Sequence, residues 1–146
     1  MSVKEFGVGF KEMQKAIAII ILGLFWCNVS FAETEESIIE KYKSSLKLCV
    51  VGVVSYYDFP RWQAWTDCFG VLKKRTAHGT WIVHAEYKNG FQTGKTLIEY
   101  PNGDRLFTKI KKEICSGKGY VITADGTIFK VKLTKDCVVK SQKVIK

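Results

Sequence analysis

This chain predicts a mainly β fold: a twisted antiparallel sheet of repeated hairpins, preceded by one N-terminal amphipathic helix. Three observations carry that expectation. A 23-residue period lines up GKTLIEYPNG (94–103) with GKGYVITADG (117–126), placing Gly94 on Gly117, Asn102 on Asp125 and Gly103 on Gly126. The pairs Asn102-Gly103 and Asp125-Gly126 read as two-residue type I′ hairpin turns, which need left-handed backbone at both central positions. The segment after each turn alternates. Val83, Ala85 and Tyr87 correspond to Leu106, Thr108 and Ile110 and then to Phe129, Val131 and Leu133, a largely apolar set. Between them lie His84, Glu86 and Lys88, then Phe107, Lys109 and Lys111, then Lys130, Lys132 and Thr134, mostly polar and largely basic. A strand turns successive side chains to opposite faces, so one face should pack and the other should meet water.

The chain opens with the parts of a secretory signal. Residues 1–15 carry Lys4, Lys11 and Lys15, residues 16–26 are an unbroken apolar run, and Ser30 and Ala32 place small side chains at the −3 and −1 positions of a cleavage site. Residues 1–32 are therefore expected to be removed. The competing reading is an uncleaved anchor, since 16–32 is at the lower edge of a membrane-spanning length. Residues 33–146 then form one domain of 114 residues with a modest core. Three of the 23 basic and two of the 14 acidic residues fall in the leader, leaving 20 against 12 and a net charge of +8. Such a balance suits anionic lipid, polysaccharide or an envelope protein, and it also serves plain solubility. Nucleic acid could exploit the charge too but is not the expected partner, and the excess of Lys over Arg, the residue preferred for specific anion recognition, suits plain solubility.

Once Cys27 leaves with the leader, Cys49, Cys68, Cys115 and Cys137 remain. An even count in an exported chain suggests two disulfides, and no C-x-x-C or His spacing supports a metal site. Four cysteines allow three pairings; the expected one is Cys49–Cys68, bracketing one loop, with Cys115–Cys137. The second pair occupies matching places one repeat apart, about 10 Å across two strand spacings, so loop flexibility has to close the gap.

Residues 33–48 read as the helix. Thr34 can cap it, Glu35 and Glu36 suit its positive end and Lys41, Lys43 and Lys47 the other, while Ile38, Ile39, Tyr42 and Leu46 share a side. The stretch between Cys49 and Cys68 reads as an irregular stapled loop rich in aromatics: Tyr56, Tyr57, Phe59, Trp62 and Trp65. It serves either as a binding platform or as a private core. The expected organisation is thus leader 1–32, helix and stapled lead segment 33–78, and hairpin repeats 79–146, all but the leader forming one compact domain with the first part as N-terminal cap.

The repeat resembles the MORN (membrane occupation and recognition nexus) family. Glu86-Tyr87-Lys88-Asn89-Gly90 with Gly94 matches the middle of one unit, Pro101-Asn102-Gly103-Asp104 with Gly117-Lys118-Gly119 the next, and Ala124-Asp125-Gly126-Thr127-Ile128-Phe129 opens a third. Trp65-Thr66-Asp67-Cys68-Phe69-Gly70 looks like the cysteine-bearing lead segment of some bacterial exported members. The array is degenerate: Thr108 and Ala85 replace the inner Gly, and Lys109, Lys112 and Glu113 replace Glu and the Asn-Gly pair. The resemblance implies a bacterial, periplasmic or secreted protein that binds lipids or proteins.

No catalytic residue stands out. His84 is expected on the outward face beside Glu86, His78 sits by the turn at Gly79, and neither has a nucleophile in its neighbourhood of sequence. Asp58, Asp67 and Asp104 suit loop and turn hydrogen bonding. No cofactor or metal is expected. The expected function is a non-enzymatic binding or scaffold module whose anion-binding residues are Lys109, Lys111, Lys130 and Lys132, with Phe107 as an apolar neighbour. The alternative is a small exported hydrolase, or an inhibitor of one, using the aromatic loop 56–65.

Overall fold

The computed structural model describes residues 33–57 and 62–146. The leader expected over 1–32, with its cleavage site, and Asp58, Phe59 and Pro60 of the aromatic loop lie outside the described residues. Helix α1 (Glu35–Tyr42) is followed by eight strands: β1 (Leu48–Ser55), β2 (Cys68–Thr76), β3 (Gly79–Lys88), β4 (Phe91–Glu99), β5 (Arg105–Lys111), β6 (Ile114–Ile122), β7 (Ile128–Leu133) and β8 (Val139–Val144). They form one sheet in chain order, antiparallel throughout except for the parallel pair β1–β2. The fold is thus mainly β with one short helix, and the 33–78 segment supplies the helix and two strands of the common sheet.

The helix is shorter than expected. Its start is where the sequence puts it: Thr34 Oγ1 accepts from the Ser37 N–H at 3.2 Å and Ser37 Oγ from the Thr34 N–H at 3.0 Å, a reciprocal cap. It ends at Tyr42, with Lys43 already extended. Ser44 takes over there, accepting the Leu46 N–H and donating to the Glu86 carboxylate at 2.7 Å, which draws the chain out of helical geometry. The run from Leu48 to Val54 is dominated by β-branched valines and becomes β1 instead of helix end and irregular loop. A parallel neighbour needs a crossover of about a dozen residues. Residues 56–67 are that crossover, not a free-standing stapled loop.

The alternation in the sequence sorts the two faces. Val83, Ala85, Tyr87, Leu106, Thr108, Ile110, Phe129, Val131 and Leu133 all lie on one face, most of them buried. Along its middle the register aligns Gly70, Ala85, Thr96, Thr108 and Gly119 on five successive strands. These small side chains let the strands coil around the larger ones on either side. At one end Trp65 lies over Gly70, which leaves no room for a Cβ, and meets the Tyr87 ring edge-on at 4.9 Å. Its indole N–H donates to the Val50 carbonyl at 2.9 Å.

The opposite face is only partly wet. Ile38 is buried against Phe107, Tyr120, Ile122 and Ile128, and Tyr42 packs on Phe107 and Tyr120 at 5.9 and 6.2 Å between ring centres. Glu35 pairs with Arg105 at 2.6 Å, and the Tyr120 hydroxyl donates to Glu33. Phe107, expected as a solvent-facing neighbour of the lysines, is 2% exposed beneath the helix. The helix therefore covers part of one face of the sheet. Ile39 and Leu46, expected on the packing side, stay exposed.

The turns correct another expectation. Asn102-Gly103 and Asp125-Gly126 are not two-residue type I′ turns, because only Gly103 (φ 90°) and Gly126 (φ 87°) are left-handed. Each belongs to a three-residue loop. The Gly103 N–H donates to the Tyr100 carbonyl and the Tyr100 N–H to the Asp104 carbonyl; Gly126, Thr123 and Thr127 repeat the pattern, as do Cys137, Thr134 and Val138. Pro101 favours this form, since its ring suits the first position of a type I turn with the left-handed residue following. Type I′ turns occur instead at Asn89-Gly90 (φ 52° and 75°) and, 23 residues on, at Lys112-Glu113 (φ 48° and 67°). Side chains resist that region, each by roughly 1 kcal/mol. Replacing Lys112-Glu113 by Asn-Gly is therefore expected to stabilise the fold by about 1 kcal/mol, read as a higher urea midpoint at unchanged slope.

The cysteines pair as Cys49–Cys68 and Cys115–Cys137, with Cα separations of 5.0 and 5.3 Å. Cys49 and Cys68 sit near the starts of the parallel neighbours β1 and β2. The 10 Å gap expected for the second pair does not arise, because β6 and β7 are antiparallel neighbours. Cys115 near the start of β6 thus meets the loop that leaves β7.

Candidate anion-binding face

On the helix side of the sheet the register brings lysines into rows. Lys95 stands opposite Lys109, and Lys118 opposite Lys132, so four cations follow one another across β4, β5, β6 and β7. One row over, Lys130 lies opposite both Tyr120 and Lys143. With Lys41 from the helix, the lysines 109, 118, 130, 132 and 143 line a cavity of about 710 Å³ floored by Tyr42 and Tyr120 and edged by Ser116, Ser141 and Gln142.

The charges in this cavity are weakly compensated. Glu33 reaches Lys130 at 3.9 Å, and Lys41 and Lys130 lie over the Tyr120 ring at 4.9 and 5.8 Å. Among the described residues no carboxylate lies within 4 Å of the ammonium groups of Lys109, Lys118, Lys132 or Lys143. Like charges directly opposite each other on a sheet repel. Burial, and then the Glu33 carboxylate, push the Tyr120 phenol above its ordinary range, so it stays a neutral hydrogen-bonding group.

Of the expected residues, Lys109, Lys130 and Lys132 meet in this cavity. Lys111 does not: it is exposed opposite Ile114 beside the β5–β6 turn and does not line the cavity. Lys41, Lys118 and Lys143 were not foreseen. Lys118 had a signal, for in β6 it alternates with Gly119 just as Lys109 alternates with Thr108.

The histidines take other places. His84, on the same face of β3 as Glu86, lies 2.8 Å from the Glu99 carboxylate and stacks on Phe69. His78 edges a different cavity of about 570 Å³ with Tyr100, Asp104 and Phe129. In the aromatic segment Trp62 and Trp65 are buried in the core, and Trp62 also lines, with Tyr56, Tyr57, Phe91 and Glu113, a cavity of about 470 Å³. Among the described residues no three His, Cys, Asp or Glu side chains gather as a metal site. No family model, curated protein or solved structure matches this chain. Two disulfides in one small domain belong to an oxidising, extracellular or periplasmic environment.

Proposed function

We propose that this is a non-enzymatic periplasmic or secreted binding module that docks an anionic envelope surface through the helix side of its sheet. The observation that carries the reading is the lysine row across β4 to β7, held at strand spacing and without carboxylate partners among the described residues. Keeping such a row costs stability through repulsion, and an anionic partner offsets that cost. The packing of Trp65 into the core, away from the cavity at Tyr56 and Tyr57, weighs against a hydrolase or inhibitor working through the whole aromatic loop. The 23-residue spacing between the two type I′ turns, between Gly94 and Gly117 and between Gly103 and Gly126 supports reading the array as degenerate MORN-type hairpins.

The test is retention on an immobilised acidic polysaccharide and co-sedimentation with anionic vesicles over a range of salt. Binding to at least one of the two is expected to fall about tenfold or more as the screening length shrinks from about 10 Å to about 3 Å. Replacing Lys109, Lys118, Lys132 and Lys143 together by Gln is expected to abolish it with an unchanged far-UV spectrum. A wild-type protein with no salt-sensitive binding to either matrix overturns the proposal.

A further inference from the structure

The two hairpin units contain the same β-bulge 23 residues apart, and what fills it differs. In the first, Glu86 on β3 faces residues 93–95 of β4, between the regular pairs Ala85↔Thr96 and Tyr87↔Gln92. In the second, Lys109 on β5 faces residues 116–118 of β6, between Thr108↔Gly119 and Ile110↔Cys115. Gly94 and Gly117 occupy the same place in the two bulges, both left-handed, with φ of 111° and 78°.

At the first bulge the chain supplies its own anion. Glu86 Oε2 accepts the Lys95 N–H at 2.9 Å, and Oε1 accepts from Ser44 at 2.7 Å. The carboxylate fills the space over Gly94, where an added Cβ would collide with it. At the second bulge that space is open: a Cβ on Gly117 would meet nothing nearer than the Leu133 carbonyl, 3.8 Å away. Lys118 takes the place of Lys95, and a cation, Lys109, takes the place of the carboxylate. Bulged backbone of this kind forms a concavity suited to anions, and Lys109, Lys118 and Lys132 surround it.

We propose that the Gly117 bulge is a carboxylate site, filled from outside by the group that Glu86 provides at the first bulge, and that the ligand is a uronic-acid polysaccharide. This rests on the basic face being a binding surface and names what it binds. A polyuronate carries one carboxylate per sugar, so a run of carboxylates can follow the lysines of the row, which stand one strand spacing of about 4.8 Å apart. Ser116, Ser141, Gln142 and the Tyr42 ring give its hydroxyls and ring faces polar and stacking partners, which a charge-only surface does not need.

The experiment compares oligogalacturonate, poly-glutamate and phosphatidylglycerol vesicles at equal charge, using protein recovered from cells expressing the full chain. Oligogalacturonate is expected to bind tightest and to shift the Lys118 and Gly117 amide resonances. Lys109→Glu restores in cis the arrangement of the first unit. It is expected to lower oligogalacturonate affinity about a hundredfold, with the Lys118 amide now titrating in the carboxylate range. Lys111→Glu, the same charge change outside the cavity, is expected to cost no more than about threefold. Equal losses in the two variants, or a Lys118 amide indifferent to both ligand and Lys109→Glu, overturn the carboxylate site while leaving the basic-face reading standing. Tighter binding to poly-glutamate or vesicles overturns the ligand class. Failure of the wild type to bind any of the three removes the underlying reading itself.

Discussion

Reducing both disulfides is expected to unfold the domain at ambient temperature. Cys49–Cys68 spans 19 residues and Cys115–Cys137 spans 22. In the chain-entropy description each closure is worth about 3 kcal/mol, so together they match the lower part of the 5–15 kcal/mol range of whole-domain stability. The two act at opposite edges of the sheet. The first ties β1 beside β2, where much of β1 is held only by an irregular register between Leu48 and Val53. The second fastens the loop that starts β8, whose six residues are all exposed. Urea titration of the protein with and without reductant, and of the paired Cys→Ala variants, measures this. Each double variant is expected to lose about 3 kcal/mol. A fully reduced protein with a near-native midpoint would refute the estimate.

Trp65→Ala carries the next largest expected effect, a loss of about 3–5 kcal/mol. Trp65 is 4% exposed and touches three elements at once: the Gly70 backbone of β2, the Tyr87 ring of β3 and the Val50 carbonyl of β1. Its carbonyl also accepts the Gly90 N–H of the first type I′ turn. Truncation leaves a cavity where β1, the crossover and the sheet meet, and orphans the Val50 acceptor. Gly70→Ala tests the same contact from the other side. In the wild type its methyl group has no space and is expected to destabilise strongly, whereas in Trp65→Ala the methyl enters the vacated volume. The two changes should therefore be strongly non-additive in a double-mutant cycle. Simple additivity would mean that the indole and Gly70 are not in contact.

Period and alternation made the sheet legible in the sequence. The inward set from Val83 to Leu133 needs only the two-residue repeat of a strand, and two disulfides follow from four cysteines in even count. What stayed hidden depends on context that one strand cannot report. The valines 50, 51, 53 and 54 read as loop because cysteines bracket them, although β-branching argued for a strand. Type I′ and type I loops both welcome Asn-Gly and Asp-Gly; Pro101 favours the second at one loop, but the Asp125-Gly126 loop takes the same form behind Ala124, so the dipeptide alone does not decide. Phe107 looked like an apolar residue astray among lysines. Its partners Tyr120 and Ile122 lie on β6 and Ile128 on β7, so the seat for Ile38 appears only once three strands are side by side. Lys118 and Lys143 join Lys109 and Lys132 for the same reason: a row across a sheet is invisible along a strand.

The pairing of each strand with its sequence neighbour also orders the events of folding. From β2 to β8 every partner is the next strand along, so the sheet can grow hairpin by hairpin with only short loops to close. The helix is different. Its anchoring contacts, Glu35 with Arg105, Lys41 with Tyr120 and Glu33 with Tyr120, bridge 70, 79 and 87 residues. Ile38 has no seat until β5, β6 and β7 are in place. In the proposed export, with the N-terminus leading, the segment that arrives earliest is the one that settles last, and its apolar side waits uncovered in the meantime.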